Sequence, residues 1–304
     1  MKFCLVSEQS VPEETVRLLR EACAVRNIPF ELVTGKTFEF HPEQRLQAGD
    51  MLYRAAVSLA ATRAEQYLFA PGVATFYARE DLMYFAVNSQ TLLVQAAGVA
   101  TPATVYLASA ESAMLRRQVE RLGGFPVVVK VLGRSSGVGV MLAESMLSLK
   151  PMVDFVLAQG HNPLLCQFIA DAIHWRVIVL GERAIATYRN KRVPDDFRST
   201  GTSSREDFDA VPPAAVLEAA VCATRASGLE FAGVDVLEDP AGNAWFLEAN
   251  FPTYYPQAQL YGGVDIAGQM VDYLAARAGA LAMKNAFTAS SPEASSVQPE
   301  NAAR

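Results

Sequence analysis

Histidine and cysteine are scarce, at three and four residues in a chain of 304. The histidines (His41, His161, His174) are too dispersed for a His-rich metal site, and the cysteines (Cys4, Cys23, Cys166, Cys222) form no C-x-x-C pair. That pattern argues against a zinc ribbon or a disulfide framework and fits a reducing compartment. Positive charge is not in excess either. The net charge is −6, and nothing supplies the basic surface that displaces counterions from a nucleic acid. Long apolar runs are missing too. Between Asp81 and Glu111 there is no formal charge, yet Asn88, Ser89, Gln90, Gln95, Gly98, Thr101 and Pro102 interrupt the stretch. No run approaches the ~20 apolar residues of a membrane span. The opening Met1-Lys2-Phe3-Cys4-Leu5-Val6 lacks the longer hydrophobic region of a signal peptide. The expectation is a cytoplasmic protein with neither nucleic acid nor membrane as partner.

What is present is an ordinary globular composition, 51% hydrophobic and 19% charged, long enough for about two domains at roughly 150 residues each. Residues 1–7 read as a strand and 12–26 as an amphipathic helix with Ser10 as its cap. A second strand follows at Phe30–Val33, which suggests a βαβ opening. A weaker strand fits 49–53 and a helix 60–70. No G-x-G-x-x-G follows the first strand, so this half gives no dinucleotide fold. Helices are expected at 82–97 and 110–122, with a short strand at 105–107 between them. Strands fit 163–169, 174–180 and 183–188, and a charged loop covers 189–209. A helix at 212–227, a hairpin at 231–249 and a helix at about 264–278 complete the chain. From about 283 the composition turns to Ala, Ser, Pro, Glu and Gln, which reads as a disordered tail, 283–304.

Three segments carry chemistry. In Phe125-Pro126-Val127-Val128-Val129-Lys130-Val131-Leu132, a lysine ends an apolar strand, where an ammonium calls for an anion. Gly133-Arg134-Ser135-Ser136-Gly137-Val138-Gly139 follows, then another strand. Such a loop exposes N–H groups suited to phosphate oxygens, although a tight hairpin with a snorkelling lysine fits equally well. It is not a Walker A loop, because a strand and not a helix comes next.

The second segment is 231–250. A hairpin symmetric about 241–242 puts Asp235 opposite Glu248, with Asn250 on the same face. Two facing carboxylates repel unless a cation lies between them, and three hard oxygen donors suit Mg²⁺. Solvation at a hairpin edge is the competing reading, and the apolar neighbours Val234, Val236, Phe246 and Leu247 weigh against it. The third segment is Leu164–Asp171, where a strand runs into a linker with Gln167 and Asp171. It reads as a structural strand or as an edge offered to a purine and its ribose. The basic residues Arg176, Arg189, Lys191, Arg192, Arg198 and Arg205 are solvated charge or a flank for developing anionic charge.

In this order, the motifs FPVVVKVLGRSSGVGVMLAES, LLCQFI…WRVIVLG and GVDVLED…WFLEANFP resemble the ATP-grasp superfamily, and within it the RimK-like carboxylate–amine ligases. The similarity covers roughly residues 80–278. It implies an α/β (α+β) ATP-grasp fold in which two subdomains clamp ATP. An N-terminal domain would span 1–85 and the ATP-grasp domain 86–282, with a lid at about 100–168 and a catalytic part at about 169–282. By resemblance, Lys130 meets the phosphates, with Gly133, Ser135, Ser136 and Gly137 in the loop that closes over them. Gln167 and Ile169 would lie at the adenine, and Asp171 at the ribose. Arg176, Arg189 and Arg198 would face the acyl phosphate and substrate carboxylate. Asp235, Glu248 and Asn250 would hold one or two Mg²⁺, with Mn²⁺ as an alternative. The resemblance implies ATP, a carboxylate and an amine as substrates, the amine being an amino acid, peptide or carrier protein, and a homodimer.

Two positions depart from the family pattern. Val87 stands where relatives carry a second ATP-binding lysine, and Arg198-Ser199-Thr200 stands where close relatives have Arg-Ser-Asn. The alternatives are therefore an ATP-binding regulatory or partner protein with degraded catalysis, and a small-molecule kinase on the same fold.

Overall fold

The computed structural model describes residues 1–84, 90–131, 137–192, 194–202 and 204–289. Val87, Gly133, Ser135, Ser136 and the chain beyond 289 lie outside the described residues. The chain divides into two compact units, Met1–Phe76 together with the helical residues 267–289, and Tyr77–Ile266.

The first unit opens with β1 (Phe3–Ser7), α1 (Glu13–Val25), β2 (Phe30–Thr34), β3 (Met51–Arg54) and α2 (Leu59–Leu68). The strands form a parallel sheet in the order β2-β1-β3. Every residue of β1 is buried, as the continuous apolar run of a parallel strand requires. Helix α1 buries Thr15, Leu18, Leu19, Ala22 and Cys23, one face at helical spacing. Ser10 does not cap it. Pro12 holds the cap position without a side-chain bond, and Glu13 and Glu14 occupy the first turn, where negative charge suits the helix dipole.

The second unit holds two antiparallel sheets. It begins with a 3-10 turn at Glu80–Tyr84 and α3 (Gln90–Ala96), the described parts of the helix expected at 82–97. Then come β4 (Thr104–Tyr106), α4 (Ser112–Arg121), β5 (Val127–Val131), β6 (Val140–Ala143), α5 (Met146–Ala158) and β7 (Pro163–Gln167). The sheet order is β4-β7-β5-β6. One face packs Val127, Val129 and Leu165 against Leu115 and Val119 of α4 and Leu149 and Val153 of α5. Val128, Leu164 and Cys166 belong to a separate cluster, so strand alternation gives them, and Lys130 with them, the other face. Helix α5 was not foreseen in the sequence. Pro151 lies inside it, and an interior proline ordinarily breaks a helix.

The other sheet is built from β8 (Ile173–Leu180), β9 (Arg183–Arg192) and β10 (Ser199–Thr200), then, after α6 (Arg205–Asp209) and α7 (Ala214–Ala226), from β11 (Phe231–Glu238) and β12 (Ala244–Asn250). Its order is β10-β9-β8-β11-β12, and α7 lies against β8, β11 and β12. The segment 189–209 is therefore not a plain loop: β9 continues to Arg192, and β10 and α6 follow. Helix α8 (Pro256–Gly262) packs beside α6.

The closing helix α9 (Ile266–Ala289) runs past the expected end at 278 and into the segment read as disordered. Its many alanines are strong helix formers, and the run of Ser and Pro begins only beyond Ala289. Within the first unit, Arg26 grips Asp272 of α9 with two bonds at 2.6 and 2.7 Å, and Phe76 stacks on Tyr273.

Candidate functional site

The β11–β12 hairpin is pinned at its tip. Asp239 accepts bonds from the backbone amides of Ala241 and Asn243, the Asn243 side chain and the Trp245 indole. The Asn243 and Trp245 side-chain bonds lead in holding its carboxyl down at about 2. From this tip the strands pair Asp235 with Glu248 and Gly233 with Asn250. The register shifts by one between Asp235 and Val236, since Val236 pairs with Phe246, and Leu247 is the extra residue of a β-bulge. The Asn250 amide donates to Asp235 Oδ2 at 3.2 Å and to Glu248 Oε1 at 3.0 Å. Asp235, Glu248 and Asn250 are thus brought together on one face.

Strand β8 supplies a guanidinium and an imidazole to this face. It pairs Arg176 with Asp235 and His174 with Leu237. Arg176 Nη1 lies 2.8 Å from Asp235 Oδ2 and donates also to the Gly233 carbonyl at 3.1 Å. His174 Nε2 lies 3.0 Å from Asp235 Oδ1 and 3.3 Å from the Asn190 amide. Asp235 is buried. Burial alone would raise its carboxyl, but the Arg176 charge and the His174 bond outweigh that and hold it below the usual range. For Arg176 burial acts to lower the guanidinium, and Asp235 and Tyr188 reverse it to a net rise.

Gly233 is required here by space. A Cβ on it would meet Thr253 Oγ1 at 2.1 Å and Arg176 Cδ at 3.4 Å. His174 is the site residue that sequence reading missed, because a lone histidine shows no partner until β8 and β11 are paired.

Of the nucleotide candidates, Lys130 shares its face with Val128, opposite the helix-covered side. Gly137 is reached by Arg198, whose Nη1 donates to the Gly137 carbonyl at 2.8 Å while Asp196 grips the rest of the guanidinium. Gln167 ends β7, and its side-chain oxygen accepts from the Ala103 amide at 3.4 Å. Phe168 and Ile169 form the half-buried linker that follows. Asp171 has a positive φ of 52° and lines an open hollow of about 500 Å³ with His174, Arg189, Asn190 and Lys191. Arg189 pairs in register with Trp175, so by alternation it is out of phase with Arg176. Its Nε lies 3.4 Å from the buried Asp207, which also meets Lys191 at 3.1 Å.

The donor set fits a hard divalent cation. Among the described residues no three His, Cys, Asp or Glu side chains form a metal cluster. An ion at Asp235 and Glu248 would complete its shell from Asn250, water and phosphate oxygens, the habit of Mg²⁺. The Asn250 amide already faces both carboxylates, and reversing it would present its oxygen.

A model of the RimK-like ATP-grasp domain matches residues 58–274. A probable alpha-L-glutamate ligase of Rhodopirellula baltica is 33% identical over 161 residues, which are 52% of this chain and 40% of that protein. The chain thus matches less than half of that relative's length. The D-cycloserine synthetase DcsG superposes with a TM-score of 0.71 at 18% identity, covering 91% of this chain and all of its own. The ATP-grasp ligase PsnB, solved with a minimal precursor, Mg and ADP, gives 0.63 at 16% identity over 91% of this chain and 97% of its own. The likeness of fold agrees with the family match, and this chain belongs to the RimK-like ATP-grasp family.

Proposed function

We propose that the chain is an ATP-dependent carbon–nitrogen ligase that joins a carboxylate to an amine and releases ADP and phosphate. The carrying observation is the convergence of Asp235, Glu248 and Asn250 on one hairpin face beside Arg176. In this reading residues 1–85 contribute to substrate choice, about 100–168 form the lid, and about 169–282 form the catalytic part. Lys130 and the loop through Gly137 bind the phosphates, Gln167 and Ile169 border the adenine, and Asp171 meets the ribose. Asp235, Glu248 and Asn250 hold one or two Mg²⁺. When bound, the ion neutralises charge that develops on the transferring phosphoryl group.

The chain's own residues supply the remainder. Arg198, next to Gly137, and Arg176, next to the acid patch, orient the substrate oxygens and stabilise the acyl phosphate as the carboxylate attacks the γ-phosphate. The amine then displaces phosphate. Arg189 and Lys191 on the hollow's rim would steer the acidic substrate. The homologue's name and the PsnB complex with Mg and ADP support this class of reaction. The acceptor class is an amino acid, peptide or carrier protein. Among the described residues no helix is long and apolar enough to cross a membrane, and the four free cysteines are consistent with a cytoplasmic setting.

The test is ADP formation with Mg²⁺ and a panel of paired carboxylates and amines. Release that requires both supports the ligase, and a stable phosphorylated product without amine would indicate a kinase. Val87 favours a second reading, a nucleotide-binding partner protein, which predicts thermal stabilisation by ADP without turnover.

A further inference from the structure

The open face of the β4-β7-β5-β6 sheet carries an apolar cluster as well as Lys130. Val128, Leu164 and Cys166 are buried there, with Val140, Leu142, Phe168 and Phe197 packed around them. Phe197 is the outsider in this group. It comes from the connection between β9 and β10, strands of the other sheet, and its ring meets Phe168 with centroids 6.5 Å apart and planes at 67°. Its neighbour Arg198 is fastened to the Gly137 carbonyl at 2.8 Å and to Asp196 at 2.7 to 3.0 Å. Two successive residues therefore strap the 196–198 segment across the face that carries the lysine.

An apolar cluster on the face of a lysine, next to a glycine turn, suits a flat aromatic base with a phosphate tail. A phenyl ring from the chain itself packs on that cluster. We infer that Phe197 is a resident occupant of the purine position, held there by the Arg198–Gly137 bond, and that a nucleotide enters by displacing it. This rests on the ATP reading above. The strap is built to release. The bond that ties it across the face is a single one, from Arg198 to the Gly137 carbonyl, and the Arg198 side chain is 40% exposed, so water can compete for it. The cost appears as affinity, because the apparent dissociation constant is raised by the fraction of molecules whose cluster is covered.

The experiment is calorimetric titration of the full chain with ADP and Mg²⁺, wild type against Phe197→Ala. Removing the ring should tighten binding roughly tenfold. A second variant, Phe197→Trp, adds a third tryptophan to the two present, and its emission should move to the red when ADP expels the indole from the cluster. Equal or weaker binding by Phe197→Ala, with wild-type binding intact, would overturn this inference and leave the ATP reading standing. An unshifted emission from Phe197→Trp at saturating ADP would do the same, and decides alone if the alanine variant fails to fold. Absence of nucleotide binding in both the wild type and Phe197→Ala would overturn the ATP reading as well.

Discussion

Asp235 and Glu248 are direct cross-strand partners, yet only one of the two carboxylates is buried with a guanidinium. Asp235 lies 2.8 Å from Arg176 Nη1, whereas Glu248 is exposed and touches the amide of Asn250. The same patch therefore separates stability from chemistry.

Glu248→Gln should leave stability within about 0.5 kcal/mol of wild type, as an exposed substitution does, while Mg²⁺-dependent ADP formation falls at least ~100-fold. Asp235→Asn should lose activity and also roughly 3–5 kcal/mol of stability, because it leaves Arg176 buried without its counter-charge. Urea unfolding alongside ADP release reads both. Undiminished turnover in Glu248→Gln would remove this patch from the mechanism.

Gly233→Ala tests the space that Arg176 and Thr253 share. The new methyl would lie 2.1 Å from Thr253 Oγ1, so the Thr253 side chain must move. We expect a cost of about 1–3 kcal/mol, largely relieved in the double variant Gly233→Ala/Thr253→Ala. Thermal melts of the four proteins in that cycle give the coupling. Simple additivity would show that the two positions do not compete.

The tip of the hairpin sets a pH dependence. The Asp239 carboxyl lies at about 2 in the folded chain against an ordinary 3.8. A depressed folded value means that its contribution is present above 3.8 and drains away as the pH falls from there through about 2. Asp239→Ala should therefore be less stable than wild type by a constant amount from pH 7 to about pH 5. The gap should narrow below pH 4. A gap that widens on acidification would contradict this sign.

The legible part of the fold was local. Symmetry about Ala241–Gly242 names the right pair, Asp235 with Glu248, although the hairpin is centred on Ala241 and the bulge at Leu247, invisible in the sequence, restores that pairing. The β5 and β6 strands on either side of the glycine-rich segment were readable as local neighbours. The βαβ opening was equally plain in Phe3–Ser7, Glu13–Val25 and Phe30–Thr34. What escaped depended on distant partners. His174 acquires meaning only when β8 joins β11, and Arg189 is parted from Arg176 only by the pleat of β9. Helix α5 was hidden by Pro151, whose missing donor is tolerated because Leu149, Val153 and Val156 are buried in the core. The extension of α9 beyond 278 shows helix propensity continuing where burial was no longer evident from the pattern.

The Arg26–Asp272 grip and the Phe76–Tyr273 stack join residues that precede the Tyr77–Ile266 unit to α9, which follows it in the chain. As the chain grows, the first unit would leave the ribosome with one of its walls still missing, while Tyr77–Ile266 has all its own strands in hand. The Tyr77–Ile266 unit can thus mature first, and the other closes only when α9 arrives.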